Sequence, residues 1–238
     1  MPKFFYRDDG PTVVKKRYVN QYPQYSQKLF EINYLNEEYI DDTCQSEIIQ
    51  YLESVISDYD LVLVSDFGHG FITNTIIRFI ERHAKMFAVN TQTNAANTGY
   101  NLITKYRHSN IVCLDETEAR LALQDKFSDI DSIAERIVKQ TNSDYLIITL
   151  GKKGSIGVSK DGQINYTPIF STKVIDTVGA GDAFFAFTAP CFAKGMPLDL
   201  VSFIGNAVGA LAVQIIGNKK PVEKHELLEF IHTILNKA

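Results

Sequence analysis

Apolar positions in the first forty residues alternate with polar ones. Pro11–Val19 is β-branched and basic, and Phe30, Ile32 and Tyr34 alternate within Leu29–Leu35. Both segments predict strands, joined by the polar stretch Asn20–Gln27 with its tyrosines and Pro23. Such alternation suits a half-exposed antiparallel pair. From Asp41 the rhythm changes to helices between short, wholly apolar runs. Ile48, Ile49, Leu52, Val55 and Ile56 recur at helical spacing, and Leu61–Val64 follows as a buried strand. Ile72–His83 reads as a helix and Met86–Val89 as a strand. Ile111–Leu114 is the next strand, then come helices over Glu116–Leu123 and Ile130–Gln140 and a strand over Tyr145–Thr149. Strands apolar on both faces and separated by helices imply a parallel sheet covered on both sides.

After Gly151 the pattern predicts a hairpin, Ser155–Ser159 and Gln163–Thr167, across the turn Lys160–Gly162. Three helices close the chain, over about Val178–Ala193, Leu198–Ile215 and Val222–Asn236. No internal repeat, low-complexity tract or linker interrupts this order. The expected architecture is an α/β domain with a mostly parallel sheet flanked by helices and a small β element in front.

Composition narrows the functional classes. The 238 residues carry 24 Lys plus Arg against 28 Asp plus Glu, a formal charge of −4, with 45% hydrophobic residues. This mildly acidic balance gives no electrostatic reason to expect nucleic acid or an anionic membrane as partner. No apolar run is long enough to span a bilayer, and Met1–Gly10 lacks a signal-peptide core. A cytoplasmic protein is expected. Cys44, Cys113 and Cys191 are far apart and in no C-x-x-C arrangement, so neither a disulfide framework nor a zinc site is indicated.

The most informative segment is Asp176-Thr-Val-Gly-Ala-Gly-Asp-Ala-Phe-Phe185. Gly179 and Gly181 flank Ala180 where a loop enters a helix, so backbone amides can converge on an anion there. Asp182 follows on the first helical turn. A carboxylate beside a phosphate cradle is repulsive unless it has a task, and accepting a proton from an attacking hydroxyl is such a task. The alternative is a Gly-rich helix start with Asp182 merely stabilising the N-terminus. A dinucleotide fingerprint fails because Phe184 occupies its third glycine position, and neither Gly151 nor Gly179 begins a Walker loop.

Together with its neighbours, this segment resembles the C-terminal signature of the ribokinase-like (PfkB) carbohydrate kinases. Thr149-Leu-Gly-Lys-Lys-Gly-Ser155 is similar to that family's nucleotide-phosphate loop, Leu114-Asp-Glu-Thr-Glu118 to its N-x-x-E segment, and Asn206–Val213 to its adenine-side helix. Gly10–Tyr18 and Ser65-Asp-Phe-Gly-His-Gly70 resemble segments of the heptose-phosphate kinase branch, in particular a relative that also carries an upstream nucleotidyltransferase domain.

The resemblance implies an ATP- and Mg²⁺-dependent kinase for a hydroxyl of a sugar or sugar phosphate. Asp182 would be the base, and the amides of Gly179, Ala180 and Gly181 would hold the transferring phosphoryl group. Thr149, Gly151 and Gly154 would line the nucleotide phosphates, with Asn206 near the base and Glu118 positioning Mg²⁺ through water. Asp176 and Val178, with Ala212, Ile215 and Gly217, match positions that hold a monovalent cation such as K⁺ in some members; Asp176 could equally cap the helix. Asp115 stands where the family has Asn, which adds a negative charge, and Lys152 and Lys153 could offset it or simply be solvated. Asp66 and His69 match the sugar side. Asn90 and Asn94, in the amide-rich stretch Asn90–Asn101, offer hydroxyl-binding groups or an Asn-rich loop and cap. His83, His108, His225 and His232 have no partner at ligand spacing. Residues 1–40 would form a lid over the sugar, a frequent dimer contact, on an α/β core of residues 41–238. Nothing before Pro11 resembles the family's first sugar-binding strand or its Gly-Gly-Asn segment. A fragment or shortened kinase is therefore expected, or a nucleotide-binding or assembly module that no longer catalyses.

Overall fold

A computed structural model of the chain describes residues 2–22 and 26–236. Two strands, β1 (Val14–Gln21) and β2 (Ser26–Tyr34), pair antiparallel as an isolated ribbon. The six-stranded sheet has the order β3 (Val62–Asp66), β4 (Phe87–Thr91), β5 (Ile111–Asp115), β6 (Tyr145–Thr149), β7 (Ser155–Ser159), β8 (Ile164–Thr167). β3 to β6 are parallel, and the hairpin β7–β8 adds antiparallel to β6. The mostly parallel sheet with helices on both faces, and the small β element ahead of it, are as the pattern predicts.

Side chains alternate through this sheet into two cores. Phe87, Val89, Val112, Leu114, Leu146, Ile148, Ile156 and Val158 pack toward α1 (Asp42–Val55), α2 (Asn74–His83), α3 (Glu116–Leu123) and α4 (Ile130–Thr141). Ala88, Ile111, Cys113 and Ile147 point the other way, against α5 (Ala180–Ala193) and the start of α6 (Leu198–Ala212). α7 (Lys224–Leu235) joins a third cluster with α6 through Val208, Ala212 and Leu227. Two close approaches fix α6. A Cβ on Gly157 would lie 2.7 Å from Leu198 Cδ1, and one on Gly205 2.4 Å from the Phe184 ring.

The structure departs from the predicted pattern in several places, four of which bear on the arrangement around the sheet. β3 is an edge strand, and its Leu63 is 41% exposed although the sequence pattern predicts burial on both faces. The ribbon strands run on through Asn20–Gln21 and Ser26–Gln27, so both ends of the predicted connector are strand; Pro23 lies outside the described residues. α5 starts at Ala180 rather than Val178, since Gly179 adopts a left-handed φ of 78° as its cap. α6 ends at Ala212 rather than Ile215, because the Val213 carbonyl turns to accept from the Ile175 and Asp176 amides.

Parallel register brings the carboxyl ends of four strands to one edge. Asp66 pairs with Thr91, and Asp115 with Thr149. The segments that begin at Asp66, Gln92, Asp115 and Leu150 leave the sheet at this edge, where open α/β sheets bind ligands.

Candidate active site

The site starts from the bare N-terminus of α5. No side chain caps it, and Gly179, being glycine, takes the left-handed turn without strain. Ala180 N donates back to Thr177 O at 3.3 Å, and a Cβ on Gly181 would meet nothing within 4 Å. The first turn thus faces open space beside Gly181. Phe184, Phe185, Ala189 and Phe192 anchor the rest of α5 in the core. Asp182, half-buried on that turn, accepts from Gln92 Nε2 at 2.5 Å. Burial pushes its carboxyl upward, opposed by the Gln92 bond and by the charge of Lys15 on β1.

A second pair of carboxylates faces it across the sheet edge. Asp115 caps α3 by accepting Glu118 N at 2.7 Å, and Glu118 Oε2 accepts Asp115 N at 2.8 Å, a reciprocal capping box. Glu118 Oε1 accepts Thr93 N at 2.9 Å. Only 8% of Glu118 is exposed; burial, then Asp115 and finally Asp182, push its carboxyl up to about 7. The capping role accounts for Asp115: Asp and Asn cap equally well, so the local fold survives the exchange. Among the described residues no three His, Cys, Asp or Glu side chains converge for direct metal ligation. Hard carboxylate oxygens already held by amides, in a cluster of like charge, suit a hydrated Mg²⁺ bound through water.

The loop after β6 is set by glycines. Gly151–Lys153 makes one tight helical turn, with Gly151 at φ 57°. Gly154 adopts φ 94°, and a Cβ there would overlap Thr167 O at 1.9 Å. Leu150 N donates to Gly154 O at 2.7 Å, closing the loop. Thr149 Oγ1 lies 3.4 Å from Leu114 O, a long bond to the neighbouring strand. Asn206 is buried and donates Nδ2 to Ser155 Oγ at 2.6 Å and to Ser202 O at 2.8 Å. Its amide nitrogen therefore braces the loop's exit against α6 from below.

The residues expected on the sugar side have divided roles. Asp66 is 1% exposed, and its carboxylate accepts from Gly68 N at 3.0 Å, Tyr106 OH at 2.8 Å and Lys105 Nζ at 2.5 Å. With those partners it organises the 66–70 loop internally. Asn94 closes the amide-rich loop on itself: Oδ1 accepts from Ala96 N and Asn97 N, and Nδ2 donates to Phe67 O. Asn90 donates to Cys113 O at 2.8 Å, but its buried Oδ1 has no partner among the described residues. His69 differs from the other histidines: both ring nitrogens are buried without a partner among the described residues, and burial together with Lys15 lowers its pKa.

Asp176 does not cap α5. Its Oδ1 accepts Val178 N at 3.0 Å and its Oδ2 accepts Gly217 N at 2.9 Å, tying the entry to α5 to the turn after α6. Residues 176 and 217 therefore meet. Lys152 and Lys153 are exposed on the tight turn and make no ion pair among the described residues.

Lys15, Gln92, Thr93 and Tyr106 were not legible as site residues. Gln92 and Thr93 sit within the amide-rich stretch, which carried a weak signal. Lys15 is one of three consecutive cations, and only the ribbon's register selects it.

A mostly parallel sheet, an open amide cradle at a helix N-terminus and a carboxylate beside it define the ribokinase-like class of α/β proteins. The family model described as pfkB family carbohydrate kinase matches residues 13–225, and the chain belongs to that family. It is 25% identical over 226 residues to the bifunctional protein HldE of Helicobacter hepaticus, covering 94% of this chain and 45% of that protein. The chain thus spans about half the length of such relatives. In structure it is similar to phosphofructokinase-2 from Escherichia coli in complex with potassium, with TM-score 0.71, 14% identity, and 87% and 67% of the two chains covered. It is also similar to Arabidopsis thaliana ribokinase complexed with ribose and ATP, with TM-score 0.64, 16% identity and 87% and 65% covered.

Proposed function

We propose that the chain transfers the terminal phosphoryl group of ATP to a hydroxyl of a sugar or sugar phosphate, with a heptose phosphate as the acceptor class. The observation that carries this reading is Asp182, half-buried beside an open, uncapped amide cradle and held by Gln92. Asp182 Oδ1 is held by the Gln92 amide, so Oδ2 is the oxygen that takes the hydroxyl proton. The acceptor oxygen then forms its bond to phosphorus as the bond to the leaving diphosphate breaks. Amides of Gly179, Ala180 and Gly181 stabilise the charge gathering on the transferring group. Burial raises the basicity of Asp182, which helps a carboxylate accept a proton near neutral pH.

Thr149, Gly151 and Gly154 are assigned to the nucleotide phosphates, and Asp115 and Glu118 to the hydrated Mg²⁺, which when bound neutralises phosphate charge. Asn206 acts on the nucleotide side through the loop it braces. His69 and Asn90, with unpaired buried atoms, are the acceptor contacts, whereas Asp66 and Asn94 shape the loops that carry them. The Asp176–Gly217 junction is the candidate monovalent-cation site, in line with the potassium in the Escherichia coli phosphofructokinase-2 structure. The heptose assignment is supported by the resemblance of Gly10–Tyr18 and Ser65–Gly70 to that branch. Residues 1–40 act as lid on a core of residues 41–238. Their exposed apolar face, including Tyr18, Phe30, Ile32 and Tyr34, suits a second copy of the chain.

Nucleotide-dependent phosphorylation of heptose and hexose phosphates tests the reading. Asp182→Asn is expected to reduce turnover at least about 10³-fold, while Mg·ATP still raises the melting temperature. Undiminished turnover in this variant would remove Asp182 as the base. Nucleotide binding without transfer, in the chain and in any longer product of the same gene, would favour the binding module instead.

A further inference from the structure

The ribbon turns Lys15 and Arg17 to one face, and its apolar groups, with Lys16 among them, to the other. Register pairs Val14 with Tyr34, Lys16 with Ile32 and Tyr18 with Phe30 on one face, and Lys15 with Asn33 and Arg17 with Glu31 on the opposite face. The apolar face is exposed: Phe30 is 52% and Tyr34 53% accessible. The polar face turns toward the core. Lys15 Nζ lies 5.8 Å from the centroid of the Phe67 ring, whereas Lys16 Nζ stays on the ribbon, 5.3 Å from Tyr18. Arg17 is paired with Glu31 at 2.7 Å. Lys15 makes no ion pair among the described residues, although a carboxylate is close by.

Hydrogen bonds connect the spot that Lys15 reaches to the reacting carboxylate. Phe67 O accepts from Asn97 Nδ2 at 2.9 Å, and the same amide lies 3.2 Å from Gln92 O. Gln92 N donates to Asp66 O at 2.8 Å, and its side chain holds Asp182. The 66–70 and 92–101 loops are thereby one unit, with Lys15 on its ribbon side and Asp182 on its helix side. Between ribbon and core lie the buried unpaired atoms Asn33 Oδ1 and both His69 ring nitrogens. Orphaned polar atoms of this kind are costly unless a ligand takes them up. Asn33 is the register partner of Lys15.

We propose that Lys15 is a catalytic residue supplied by the ribbon: its ammonium, free of any carboxylate partner, binds the phosphoryl group as it passes from the cradle to an acceptor seated at Asn33 and His69. The inference deepens the kinase reading and rests on it. A transferring phosphoryl group at this place meets Asp182, Asp115 and Glu118, and a mobile cation on the facing ribbon offsets that repulsion when the ribbon is seated. Transfer to water is then discouraged whenever the ribbon is away, because the cradle lacks its cation.

Lys15→Gln and Lys16→Gln differ only in the face on which the charge is lost, and Lys15→Arg restores the charge. With the phosphorylated acceptor that wild type turns over best, Lys15→Gln is expected to lower kcat about 10²-fold, of the order seen when one charge-stabilising donor is removed, with little change in the KM for ATP. Lys15→Arg should recover most of that loss, and Lys16→Gln should match wild type. An unchanged kcat, a loss confined to KM, or an arginine variant no better than glutamine would overturn the role. A second measurement needs no turnover: inorganic phosphate added to Mg·ADP should raise the melting temperature of wild type and Lys16→Gln, but not of Lys15→Gln. If wild type transfers to no acceptor yet shows this difference, the kinase reading fails and the anion-binding role of Lys15 stands. Equal phosphate effects in all three proteins would refute it.

Discussion

At the scale of single residues, two glycines of one loop make contrasting demands. Gly154 has a backbone geometry that only glycine tolerates well, and a Cβ there would overlap Thr167 O at 1.9 Å. Gly151 also has positive φ, but the space beside it is open. Gly154→Ala is expected to cost at least about 2–4 kcal/mol, strain plus overlap, and Gly151→Ala about 1–2 kcal/mol, left-handed strain alone. Urea unfolding of the two variants measures the difference; equal losses would contradict the overlap. Asn206→Ala strands Ser155 Oγ in the core and should cost about 1–3 kcal/mol, and Mg·ATP should stabilise the variant less than wild type because the loop exit has lost its brace. Both glycines, Asp182 and Glu118 were legible in the sequence as motif residues. The bonds that occupy Asp66 and Asn94 were not, because Tyr106 and Lys105 approach Asp66 from a distant loop.

At the scale of elements, helix propensity and packing compete at Gly205. Alanine is favoured over glycine by about 1 kcal/mol in a helix interior, but its Cβ would lie 2.4 Å from the Phe184 ring, and overpacking a tight core costs about 1–3 kcal/mol. Gly205→Ala is therefore expected to be net destabilising, read as a lower denaturation midpoint with unchanged slope. The ribbon gives the opposite lesson. Its alternation was plain in the sequence, and so was its half-exposed character, but alternation alone does not say which face is inside. The polar face is inside, because Lys15 meets Phe67 there while Tyr18 and Phe30 stack outward. If the apolar face seats a second copy, Phe30→Glu should convert a sedimenting dimer to a monomer, with the melting temperature of the core little changed.

Over the whole molecule, stability is unevenly distributed. β4 to β6 are covered by helices and carry the fully buried Phe87, Ile111, Leu114, Leu146, Ile147 and Ile148, whereas the ribbon exposes most of its apolar surface. Amides of β5 and β6 should exchange with deuterium only through global unfolding, and those of β1 and β2 much faster. Mg·ADP with a sugar phosphate should slow the ribbon specifically. Ribbon exchange as slow as that of β5 would rule out a lid that opens independently.

Periodicity by itself determined the strands, the helices and the parallel sheet, because burial on two faces leaves a continuous apolar run and burial on one leaves an alternating one. Short Gly-rich segments located the cradle and the loop, because positive φ and close approach select glycine. Tertiary structure decided what those local signals leave open: that Asp182 is held by Gln92, that Asp66 is occupied from inside, that β3 keeps an open face, and that Lys15 rather than Lys16 meets Phe67. Each of these depends on contacts between residues far apart in the chain. Local pattern restricts what a residue can do, but its distant neighbours select which of those things it does.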